Sequence, residues 1–66
     1  MRIDTLTRMA DQIASNNAVF AEPEAVQRVS EHLKSFWTPA MRRDLTAYAT
    51  EHPDQVAPVV RAALAV

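Results

Sequence analysis

Not one of the 66 residues is glycine. Glycine is the residue that enters left-handed backbone without steric cost, so the chain lacks the usual means of making two-residue β-hairpin turns. Tight hairpins are therefore disfavoured, and no alternating β-branched run offers a strand in their place. Alanine is abundant, and the apolar residues recur at helical spacing. The sequence predicts an all-α fold: one domain over residues 1–66, built as a small bundle of three helices plus a short C-terminal helix or tail.

The first helix is expected over about residues 4–16, capped by Asp4, with Leu6, Met9 and Ile13 on the buried stripe and Ala10 and Ala14 widening it. Asn16-Asn17 is suited to a turn and a left-handed C-cap. Val19 and Phe20 then belong to an apolar connector. The second helix, about 22–37, opens on Glu22 and Pro23, where the missing proline N–H costs nothing. Its seam is Val26, Val29, Leu33 and Phe36. Thr38-Pro39 is an N-cap followed by proline, so a third helix, about 39–51, starts almost at once, with Met41, Leu45 and Tyr48 inward. A weaker helix lies within 54–65, started either by Asp54 or by Pro58.

So small a domain buries a core worth roughly 3 to 5 kcal/mol, and natural chains of this size add disulfides, a metal or a partner. There is no cysteine, and His32 and His52 stand twenty residues apart with no second ligand at metal-binding spacing. A partner is the remaining expectation. The longest apolar run, Ala62 to Val66, is too short for a membrane span or a signal-peptide core, so the chain is expected in the cytoplasm. Seven basic against eight acidic residues argue against a dedicated nucleic-acid binder or membrane anchor. Locally, however, Arg28, Lys34, Arg42 and Arg43 face only Glu31 between positions 28 and 43.

Candidate chemistry is sparse. Asp11, Glu31 and Asp44 are scattered on exposed helical faces, there is no Gly-rich phosphate loop, and no nucleophile constellation is recognisable. The bulkiest residues gather instead in "HLKSFWTPAMRRDL", residues 32–45. Adjacent helical residues differ by about 100° in direction, so Phe36 and Trp37 cannot share one narrow seam. With Phe36 assigned to the core, Trp37 falls at its edge, either packed beneath the third helix or free as an anchor for another protein. Arg42 and Arg43, in the first turns of the third helix, are either solvated or paired with acidic groups or a phosphate of a partner.

The same stretch resembles the hallmark segment of the delta subunits of soluble NAD-dependent formate dehydrogenases. The family pattern, His-Leu/Ile-x-x-Phe-Trp-x-Pro-x-Met-Arg, is carried by His32, Leu33, Phe36, Trp37, Pro39, Met41 and Arg42. "LTRMADQIASN", with Leu6, Met9, Ala10, Gln12, Ile13 and Ala14, is similar to the family's other recurring segment, with Asp11 where Asn is expected. Together they cover roughly residues 3–48, and the tail from Pro53 matches nothing specific. The resemblance implies a cofactor-free, non-catalytic accessory subunit of a cytoplasmic complex that oxidises formate with reduction of NAD. The complex would carry a molybdenum or tungsten pterin, iron–sulfur clusters and FMN on its other subunits. This chain would dock on the large catalytic subunit and support assembly or stability. Trp37, Pro39, Arg42 and Arg43 are then the expected partner interface, projecting around one rigid corner. The rival reading is a small helical DNA-binding or antitoxin-like regulator using helices two and three as a helix-turn-helix, although its third helix is poor in basic and amide residues.

Overall fold

A computed structural model describes residues 2–66. The four α-helices are α1 (Ile3–Asn16), α2 (Glu22–Phe36), α3 (Pro39–Glu51) and α4 (Pro58–Leu64), with a 3-10 turn at Pro53–Gln55 between the last two. No strand occurs among the described residues. Each of the four prolines stands at the first or second position of a helix or of the 3-10 turn, where its ring is preorganised and its missing N–H is not needed. Of the two starts considered for the last helix, the backbone uses Pro58, while Asp54 sits in the 3-10 turn.

Helix ends are where the lack of glycine is felt. No described residue has a positive φ, so no end is closed by a left-handed residue. The expected left-handed cap after α1 is corrected: Asn17 lies at φ −107°, ψ 10°, and its side-chain Nδ2 donates to the Ile13 carbonyl at 2.8 Å. Its backbone N–H donates to the Ala14 carbonyl. At the other end, α1 begins one residue earlier than expected, with Arg2 in the cap position. Asp4 is inside the first turn, where it pairs with Arg2 at 3.2 Å and accepts from the Thr5 N–H. There it favours the positive helix end without serving as the cap.

One core cluster joins all four helices: Leu6, Ala10 and Ile13 from α1, Val29 and Leu33 from α2, Leu45 and Ala49 from α3, Val60 and Ala63 from α4, with Trp37 and Val56 from the connections. Of the expected core, Leu6, Ile13, Val29, Leu33 and Leu45 are buried, and Met9, Val26, Met41 and Tyr48 are half-buried against them. Phe36 is the correction, for its side chain is 74% exposed while its neighbour Trp37 is only 5% exposed. The cause lies at the end of the helix. The most extensive helix pairing is α2 with α4, and the buried arc of α2 is Ala25, Val29, Ser30 and Leu33. At about 100° per residue Phe36 falls in direction between Ala25 and Val29, inside that arc, but as the last residue of α2 it stands one turn past the last buried member, Leu33. Trp37 has already left the helix, at φ −94°, ψ 145°, so the helical offset no longer governs its direction and the extended backbone carries its indole into the core.

Candidate functional site

The α2–α3 corner is built around Arg42. Thr38 caps α3, its Oγ1 accepting from the Met41 N–H at 3.2 Å, and this sets the entry of the helix on which Arg42 stands. From the first turn of α3, the Arg42 guanidinium reaches back: Nη1 donates to the Leu33 carbonyl at 3.2 Å and to the Trp37 carbonyl at 3.4 Å. The Leu33 carbonyl also accepts from the Trp37 N–H at 3.0 Å. A cation at the C-terminal end of α2 meets the negative end of that helix's dipole, so the arginine that is poorly placed for its own helix is well placed for its neighbour. Arg61 acts similarly, its Nε donating to the Val56 carbonyl at 3.2 Å.

The expected interface set therefore divides. Pro39 and Arg43 are exposed, whereas Arg42 is half-buried and engaged with the backbone of its own chain, and Trp37 belongs to the core. The projecting aromatic of the corner is Phe36 and not Trp37. Arg43 is the remaining exposed cation of α3, which is little for a helix that would read DNA. Among the described residues His32 makes no side-chain hydrogen bond. Its ring lies 4.7 Å from that of Phe36, centroid to centroid, on the surface of α2.

Phe36 forms one wall of an open groove between α1 and the corner. Half-buried Met9 and Met41, with the edges of Ile13 and Trp37, make an apolar floor. Arg8, Gln12 and Asn16, one turn apart along α1, form the facing wall, and Gln12 Nε2 donates to Asn16 Oδ1 at 3.2 Å. Sequence reasoning placed Met9 and Met41 correctly near the core but did not see that they share one hollow. Only the mutual orientation of α1 and α3, which periodicity does not encode, brings them together. On the far side of Phe36 the surface is of mixed charge, with Glu31 and with Arg28, which pairs with Glu24 at 3.1 Å and lies 3.8 Å above the Phe20 ring.

The sequence has no cysteine to hold an iron–sulfur cluster, and among the described residues no three His, Asp or Glu side chains converge on a metal position. No described helix is long and apolar enough to cross a membrane.

Fold and groove together define a small all-α protein that carries an apolar hollow beside an exposed phenylalanine. The family model described as "NADH-dependant formate dehydrogenase delta subunit FdsD" matches residues 5–64, and the chain belongs to that family. The match runs through α4, so the tail that carried no sequence motif is part of the family pattern as well. Neither the curated proteins nor the solved structures contain a match.

Proposed function

We propose that this chain is a non-catalytic accessory subunit of a cytoplasmic NAD-dependent formate dehydrogenase, and that it docks on the large molybdopterin-containing subunit to support assembly or stability. In this reading the pterin metal, the iron–sulfur clusters and FMN reside on the other subunits, and the contribution of this chain is contact surface. The observation that carries the reading is Phe36: a formate dehydrogenase subunit so small leaves a large aromatic side chain exposed beside a methionine-floored groove. Exposed aromatics next to apolar hollows are typical anchors of protein interfaces.

The test is co-expression of the complex with and without this chain. With the chain tagged, the large subunit is expected to co-purify. Without it, the complex is expected to accumulate less or to lose formate oxidation at lower temperature. A complex that assembles, works and withstands heating equally well without the chain, and fails to bind it when it is added back, would rule the reading out.

A further inference from the structure

Among the described residues lining the Phe36 groove the basic side chains are Arg8 and His32, and no carboxylate joins them. The chain as a whole has eight acidic residues and a net charge of −1, so an acid-free rim is a local property. Asp11, the nearest acid of α1 in sequence, lines the hollow on the other side of that helix with Ser15 and Arg61. Arg8 makes no ion pair or side-chain hydrogen bond among the described residues, unlike Arg2, Arg28, Arg42 and Arg61. The Gln12–Asn16 hydrogen bond uses the Asn16 carbonyl oxygen and leaves its Nδ2 as a second donor on the same wall.

We propose that the groove receives a segment of another formate dehydrogenase subunit in which an apolar anchor is flanked by carboxylates. The anchor lies on Met9 and Met41 beside Phe36, and the carboxylates meet Arg8 and the Asn16 amide. Methionines adapt to an irregular apolar guest, and the arginine supplies a forked donor that a carboxylate matches. A second copy of this chain is a poor occupant, because a two-fold arrangement groove to groove sets the Arg8 and His32 rim against its own like. This inference rests on the reading of the chain as a docking subunit and adds the face and the chemistry of what it binds.

The experiment titrates the full chain and its variants into the formate dehydrogenase complex purified without it, and follows binding by calorimetry at two salt concentrations. Phe36→Ala is expected to weaken binding about tenfold or more, as an anchor should. Arg8→Glu should weaken it more than Arg8→Ala and remove much of the salt dependence, while Asp11→Arg on the opposite hollow should leave it unchanged. A photo-reactive residue at position 12 in place of Gln12 should cross-link to a peptide of another subunit that carries Asp or Glu beside an apolar residue. This last measurement decides even where a variant fails to fold.

Wild-type chain that does not bind the complex at all refutes the docking role itself. Wild-type chain that binds, with Phe36→Ala and Arg8→Glu unchanged, refutes only the assignment of this face. A cross-link to a second copy of the chain, or to a peptide without carboxylates, overturns the proposed occupant.

Discussion

Phe36 and Trp37 are neighbours with opposite fates, and replacing each by alanine separates them. Trp37 is 5% exposed and belongs to the core cluster, so Trp37→Ala removes most of a buried indole and leaves a hole. Truncations of this kind cost about 3 to 5 kcal/mol. That equals the whole surplus of about 3 to 5 kcal/mol that a core of this size supplies. Trp37→Ala should therefore be largely unfolded at room temperature even without denaturant. Phe36 is 74% exposed, and what it loses is chiefly the tilted contact with His32, worth about 1 kcal/mol or less. With a urea dependence of about 1 kcal/mol per molar for a chain this short, Phe36→Ala shifts the midpoint by about 1 M or less. Far-ultraviolet circular dichroism with urea titration reads both. A Trp37→Ala protein with a cooperative transition close to wild type would show that the indole is not part of the core, and the account of the corner would fall with it.

Arg42→Ala should destabilise the chain by about 1 to 2 kcal/mol through the loss of charge-assisted bonds to the end of α2, with Arg42→Lys recovering part, read from the same urea titrations. Thr38→Ala should cost about 1 kcal/mol by removing the cap of α3, and Thr38→Ser should restore most of it. Leu45→Ala should cost about 2 to 5 kcal/mol, since Leu45 is fully buried, and its thermal transition should broaden or vanish.

The helices were legible because their signals are local. Prolines mark starts, the Asn pair marks a stop, and Leu6, Ile13, Val29, Leu33 and Leu45 repeat with the period of a buried stripe. The inversion at Phe36 and Trp37 was not legible because its cause lies at the end of α2, where a single residue's change to extended backbone redirects a side chain by more than periodicity can indicate. The role of Arg42 was hidden for a similar reason. Its charge read as available to a partner, but nine residues back along the chain the Leu33 carbonyl, which already accepts from the Trp37 N–H, takes the guanidinium as a second donor. The groove was invisible because its walls come from helices whose relative placement no local pattern encodes.

The arginine that bolts α3 to the end of α2 also bears on the order in which the molecule is made. Leu33 and Arg42 are close in sequence, so the α2–α3 corner closes a short loop at small entropic cost, whereas α2 meets α4 only across the whole of α3. The corner is thus suited to be the folding nucleus, and α4 is suited to lock on afterwards. In a stopped-flow experiment, damage at the corner by Arg42→Ala should appear mainly as slower folding. Val60→Ala in α4 should leave the folding rate nearly unchanged and hasten unfolding, so that the last helix acts as the latch that sets how long the folded chain survives.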